Sequence, residues 1–147
     1  MKKIYIASDH GGYELKKKLI LFLEKKGFPV EDVGPFTYDS EDDYPDYAIP
    51  LAQKVAQHKS KGIVICRNGQ GVCIAVNKIK GIRGVIGFSV KEAKTTRLDD
   101  DANVLSLPGD YVSVDTAKKI AMVWLETPFS GLKRHVRRLN KVKRLEK

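Results

Sequence analysis

The stretch GIVICRNGQGVCIAVNK, residues 62–78, decides the fold. Its first five residues form a continuous apolar run rich in β-branched side chains, which is typical of a central strand covered on both faces. A polar turn with two glycines follows, and the pattern then predicts a short helix over 71–79. A buried strand that leads through a glycine turn into a helix indicates a parallel α/β sheet.

The same alternation continues on both sides of this stretch. Apolar patterns predict strands at 2–7, 29–34, 62–66, 83–88 and 103–107, and helices at 13–27, 48–58, 71–79, 90–99, 114–128 and 131–147. Strands that alternate with helices pair in parallel through right-handed crossovers. We therefore expect a single α/β domain over residues 1–147, a three-layer α/β/α sandwich with a mainly parallel sheet of about five strands.

The composition is that of a globular protein rather than a membrane or disulfide-rich one. The 147 residues are 42% hydrophobic and 31% charged, and no apolar run approaches the roughly 20 residues needed to span a bilayer. The N-terminal MKKIYIASDH lacks the apolar core of a signal peptide. Two cysteines, Cys66 and Cys73, have neither a metal-binding nor a redox spacing. We expect a cytoplasmic protein with reduced thiols and no membrane partner.

The positive charge is concentrated at one end of the chain. Of the net charge of +9, residues 131–147 hold +7, with eight Lys or Arg and one Glu. Such a basic tail raises the possibility of nucleic-acid binding. No aromatic residue interleaves with these charges, however, and Arg134 and Arg138 share one helical face where they would clamp a phosphate. A solvated helix face is the simpler alternative.

Polar and glycine residues fall at the predicted carboxyl ends of the strands, where ligands bind in parallel sheets. Cys66 ends the central strand, and the amides of the following turn, at Gly69, Gln70 and Gly71, are suited to an anion. A cysteine in this position has its thiolate favoured, although a buried cysteine more often serves as a small hydrophobe. Asp9 and His10 follow the first strand, either as an acid–base pair or as an ordinary polar turn.

These motifs together resemble the ribose-5-phosphate isomerase B family, which includes the galactose-6-phosphate isomerase subunits. The matching segments are SDHGGYELK (8–16), DYPDYA (43–48), GIVICRNGQGVCIAVNKIKGIRG (62–84), DANVLSLPG (101–109) and TPFSGLKRHVRRL (127–139). The resemblance implies a Rossmann-like sandwich that works as a dimer or tetramer, with active sites between subunits. It also implies aldose–ketose isomerisation of a sugar phosphate without metal or cofactor, and a C-terminal basic helix, 131–147, packed at a subunit interface.

The resemblance also assigns roles to individual residues. It makes Cys66 the base that moves a proton between C1 and C2, and it places the turn amides against the enediolate. Preorganised donors are what an oxygen that gains charge requires. The sugar-holding positions match Asp9 and Tyr44, and the phosphate-side positions match His10, Arg134 and Arg138.

Several residues depart from the family pattern at the site. Arg67 and Asn68 replace a glycine and a threonine, Asp99 stands where the family has a ring-opening histidine, Asp100 replaces an asparagine, and Asp110 replaces an arginine. We expect Asp99 to take over acid–base catalysis of ring opening, and Arg67 to pair with Asp99 or Asp100, since a carboxylate beside an oxyanion needs a partner. Ribose 5-phosphate is the expected substrate. Another pentose or hexose phosphate, or a non-catalytic sugar-phosphate-binding role, stays open.

Overall fold

Five parallel strands form one sheet in the computed structural model, which describes residues 1–146. The strands are β1 (Ile4–Ser8), β2 (Val30–Gly34), β3 (Lys61–Cys66), β4 (Gly84–Ile86) and β5 (Val104–Pro108). Their order across the sheet is β2-β1-β3-β5-β4, and every pair is parallel. The apolar run of 62–66 is thus the central strand, as its composition predicts. The expected parallel sheet of about five strands is confirmed.

Residues 1–146 form six α-helices, five of which cover the two faces of the sheet. They are α1 (Tyr13–Lys25), α2 (Pro45–His58), α3 (Gln70–Val76), α4 (Val90–Asp100), α5 (Val114–Glu126) and α6 (Lys133–Lys143). The core on one face joins α1, α4 and α5, and the core on the other joins α2 and α3. The three-layer α/β/α architecture is therefore confirmed. Within residues 1–146, no helix is long and apolar enough to cross a membrane.

The alternation of side chains along β3 decides which face its thiol occupies. Ile63 and Ile65 pack into the core beneath α1, α4 and α5, whereas Val64 and Cys66 point to the side of α2 and α3. Successive strand residues point to opposite faces, so burying both sets requires helices on both sides. Cys66 therefore ends β3 on the face where the next helix, α3, begins.

The last helix, α6, lies at the amino end of the sheet. Its residues Val136, Leu139 and Val142 line a groove of about 800 Å³ together with residues at the strand starts, among them Ile4 and Lys61. None of its residues is buried. The basic tail predicted as a helix over 131–147 is thus helical at 133–143, and Lys147 lies outside the described residues.

Candidate active site

The thiol of Cys66 is held at the carboxyl end of β3 by the turn that follows it. Cys66 is 5% exposed, and its Sγ accepts the Gly69 N–H at 3.2 Å. Gly69 reaches back because its backbone is left-handed, with φ of +73°. This hydrogen bond fixes the position of the sulfur at the carboxyl end of β3. The geometry therefore suits Cys66 to accept and return a proton.

The side chain of Asn68 organises the same turn. Its Oδ1 accepts the Gln70 N–H at 2.9 Å and a hydrogen bond from the Cys66 S–H, with 3.7 Å between Oδ1 and Sγ. By bonding an N–H at the start of α3, Asn68 satisfies a donor that the helix itself leaves open. The amide of Gly71, the second residue of α3, has no acceptor within the helix for the same reason.

Asp9 and His10 lie beside this turn because β1 is the neighbour of β3. Ser8 pairs with Ile65, and the Asp9 N–H donates to Ile65 O at 3.2 Å. The Asp9 carboxylate in turn accepts the Gly12 N–H at 3.2 Å. The two residues that follow β1 are therefore held next to the residues that follow β3.

A second acidic residue, Asp42, lies beside Asp9 and His10, and the sequence pattern did not single it out. Asp42 Oδ1 lies 2.7 Å from His10 Nδ1 and accepts the His10 N–H at 3.1 Å. Asp9, His10 and Asp42 also form a cluster of potential metal ligands, whose ligating atoms all lie within 4.8 Å of one another. Within residues 1–146 this is the one such group of three His, Cys, Asp or Glu side chains. These hydrogen bonds account for the close approach, and we assign no metal to it.

Tyr44 closes the opposite side of the turn. Its ring lies over Gly71, so that a Cβ at position 71 would come within 2.7 Å of the ring carbon Cζ. Tyr44 directly precedes α2 and is 36% exposed. The structure therefore brings one set of predicted site residues together at the carboxyl end of the sheet: Asp9, His10, Tyr44, Cys66, Arg67, Asn68, Gly69, Gln70 and Gly71.

Arg67 pairs with a different acid from the expected one. Its guanidinium lies 3.6 Å from Asp110 Oδ1, and the Asp110 N–H donates to Arg67 O at 2.8 Å. The reason is strand order, since β3 and β5 are neighbours and the residues after them meet. The expected pairing of Arg67 with Asp99 or Asp100 is not formed within the chain.

The remaining predicted residues lie at the other end of the sheet. Asp99 and Asp100 end α4 and precede β5, whose first residue Val104 pairs with Gly62 rather than with Cys66. His135 on α6 brings its Nε2 to 3.5 Å from Asp99 Oδ1. Arg134 and Arg138 on the same helix lie at this amino end. Within one chain, these four residues do not meet Cys66.

Comparisons with known proteins agree with this arrangement. The sequence profile of the family described as Ribose/Galactose Isomerase matches residues 4–142. A probable ribose-5-phosphate isomerase B of Mycoplasma genitalium is 44% identical over 146 residues, which cover 98% of this chain and 95% of the relative.

Solved structures give the same result. The chain matches the crystal structure of ribose-5-phosphate isomerase B from Mycoplasma genitalium with bound ribulose 5-phosphate at a TM-score of 0.95 and 43% identity, covering 98% of this chain and 95% of that one. It matches the enzyme of Clostridium thermocellum at a TM-score of 0.94 and 40% identity, covering 99% and 97%. The expected enzyme class, an aldose–ketose sugar-phosphate isomerase, is confirmed. The chain belongs to the ribose/galactose isomerase family.

Proposed function

We propose that this chain interconverts ribose 5-phosphate and ribulose 5-phosphate, with Cys66 as the base. One observation carries the proposal: a buried thiol at the end of the central strand accepts the Gly69 amide at 3.2 Å. A thiolate held in this way can accept a proton from a bound substrate. The substrate is that named for the relatives, and the related Mycoplasma genitalium structure holds the product, ribulose 5-phosphate.

The reaction needs one base and one oxyanion donor. The Cys66 thiolate removes the C2 proton of the open-chain aldose, and the electron pair moves through C1 to O1, which becomes an enediolate oxygen. The thiol then returns that proton to C1, while the O2 proton passes to O1 through the site's polar groups. Gly69 and Gln70 already donate their amides to Sγ and to Asn68. Gly71 therefore supplies the amide for the oxyanion.

A second copy of the chain completes the site in this proposal. Along β3, Cys66 lies about 13 Å beyond Gly62, because a strand rises roughly 3.3 Å per residue. One sugar phosphate therefore cannot contact residues at both ends of a single sheet. Asp99 for ring opening, Asp100 beside the oxyanion, and Arg134 and Arg138 for the phosphate would come from the partner subunit. The exposed α6 would lie at that interface, in a homodimer or tetramer.

The compartment follows from the same thiol. Cys66 and Cys73 are both free in the structure. A base that must cycle between thiol and thiolate requires a reducing environment, so we place the enzyme in the cytoplasm.

The deciding experiment measures ribose 5-phosphate isomerisation by wild type, Cys66→Ala and Cys73→Ala, without added metal. Cys73 is the matched control, because burial raises the pKa of its thiol and it lies within α3. We expect Cys66→Ala to lose at least about a thousandfold in kcat, and Cys73→Ala to stay within a few-fold of wild type. Full activity in Cys66→Ala would exclude the proposed base. An inactive wild type would redirect the assay to other pentose and hexose phosphates.

A further inference from the structure

The carboxylate of Asp42 is buried and incompletely bonded. Its side chain is 4% exposed, and its Oδ1 accepts both the Nδ1 and the backbone N–H of His10, at 2.7 and 3.1 Å. Its second oxygen, Oδ2, is buried without a hydrogen-bond partner. A buried carboxylate is costly unless it is paired with a positive group. Its bonded neighbour that can carry positive charge is His10.

Two other groups lie close to the His10 ring. The Asp9 carboxylate is within 4.8 Å of the His10–Asp42 pair. The ring of Tyr38 meets the imidazole edge-on, with the ring centres 6.4 Å apart. These neighbours restrict the orientation of the imidazole ring.

We propose that Asp42 is a positioning residue for His10: it holds Nδ1–H, fixes the ring, and stabilises the imidazolium whose Nε2–H then binds the phosphate of the substrate. The inference rests on the proposed function, which supplies the phosphate ester. The His10 side chain is 22% exposed, so the ring edge opposite Asp42 is open to a ligand. A carboxylate on one nitrogen and a phosphate on the other make two charge-assisted hydrogen bonds through one ring.

The test is Asp42→Asn, with Asp43→Asn as its matched control. Asparagine keeps an oxygen for both His10 donors but removes the charge, while Asp43 is the exposed neighbour in the same loop. We expect Asp42→Asn to raise both the KM for ribose 5-phosphate and the inhibition constant of inorganic phosphate roughly tenfold. We expect kcat to change by less than about threefold, because Cys66 rather than His10 transfers the proton between C2 and C1. Asp43→Asn should match wild type in all three.

A double-mutant cycle with His10→Asn separates positioning from a general loss of structure. If Asp42 acts through His10, then Asp42→Asn should weaken phosphate binding no further in the His10→Asn background. An equal loss in both backgrounds would overturn the inference, and so would unchanged phosphate binding in folded Asp42→Asn.

Nitrogen-15 NMR of the His10 ring gives a readout that does not depend on turnover. Titration with inorganic phosphate should shift the Nε2 resonance in wild type and in Asp43→Asn, with a roughly tenfold weaker response in Asp42→Asn. The absence of any Nε2 response in wild type would overturn the phosphate role of His10. Because this measurement needs no isomerase activity, failure of the proposed reaction and failure of the Asp42 inference are distinguishable.

Discussion

Two buried charged side chains, Arg97 at the amino end of the sheet and Asp42 at the carboxyl end, differ in how fully they are hydrogen-bonded. At the amino end, the Arg97 guanidinium is buried and donates to Thr127 O at 3.0 Å, Ala102 O at 2.6 Å and Asp101 Oδ1 at 2.9 Å. At the carboxyl end, the Asp42 carboxylate is equally buried, yet its Oδ2 has no partner. Satisfied groups hold loops in place, whereas a buried polar atom without a partner needs a separate explanation. Ser60 Oγ and Trp124 Nε1, near the amino end, are also buried without a partner, so the contrast holds for Arg97 and Asp42 and not for every polar group at the two ends.

The three consecutive aspartates at the end of α4 show the same division within one segment. Asp101 turns inward and binds Arg97 and Arg83, with a left-handed backbone at φ of +47°. Asp99 and Asp100 stay accessible, and Asp99 contacts only His135 among the charged partners that residues 1–146 offer it. One acid therefore belongs to the scaffold, and the other two remain accessible at the surface of the chain.

Two glycines with a left-handed backbone, Gly69 at the carboxyl end of the sheet and Gly81 at the amino end, provide a test of the difference between the two ends. In Gly69→Ala the φ of +73° becomes strained, and the new Cβ would lie 3.1 Å from Pro108 N, so the turn must move away from Cys66 Sγ. We expect kcat/KM to fall roughly a hundredfold, as when a preorganised donor is lost.

Gly81→Ala is the control at the amino end. Gly81 has φ of +88°, but its nearest obstacle is the Ala56 methyl at 3.9 Å. We expect this variant to lose about 1 kcal/mol of stability from backbone strain and to keep kcat/KM within about twofold. Steady-state kinetics and urea denaturation of both variants check the prediction, which equal losses of activity would contradict.

Arg97→Met should show that the amino end is scaffold. The change removes a buried cation with three hydrogen bonds and leaves the carbonyls of Ala102 and Thr127 without donors. We expect the free energy of unfolding to fall by about 2 kcal/mol, measured by urea denaturation at fixed protein concentration. Arg83→Met, at a half-exposed arginine that also binds Asp101, is the control and should cost less than half as much. A smaller loss in Arg97→Met than in Arg83→Met would refute this assignment.

The strands and helices were predictable because both faces of the sheet are covered. Burial on two sides forces apolar runs such as 62–66, and the run ends where the chain reaches the site, which identifies Cys66. The position of the thiol against an amide followed from the same pattern, since a glycine turn between a strand and a helix presents its N–H groups there. Local patterning therefore placed Cys66 beside the turn amides, whereas its role as a base came only from the family resemblance.

Contacts that depend on strand order were not predictable from patterning. Arg67 meets Asp110 only because β5 lies beside β3, and alternation of strands with helices does not establish their order. Asp42 was missed because the loop before α2 carries several acids that look alike in sequence. Its depth beside His10 is a tertiary property. Asp99 was grouped with Cys66 by resemblance, although α4 must return to the amino end before β5 begins.

The smallest effect at the amino end of the sheet is expected at Lys61, because burial of its ammonium group is only partly compensated by its contacts. It is half-buried, donates to Leu125 O at 3.3 Å, and lies over the Trp124 ring at 5.8 Å. Burial, together with the nearby Arg97 charge, lowers the pKa of Lys61 from 10.5 to about 8. Between these two values the unfolded chain binds more protons than the folded one, so this group makes stability rise with pH across that window.

Lys61→Met keeps the apolar contacts and removes the cost of burying the charge. At pH 7 we expect the free energy of unfolding to increase by about 1 kcal/mol, well short of the full linkage value because the ammonium is partly solvated. The rise in stability between pH 8 and 10 should flatten in the variant. Lys3→Met, at an exposed lysine paired with Glu31, is the control and should leave that rise unchanged. Urea denaturation across this pH range measures both. If the free energy of unfolding changed with pH in the same way in wild type and in Lys61→Met, burial would not destabilise the Lys61 ammonium group. Its hydrogen bond and ring contact would then compensate for the burial of the charge.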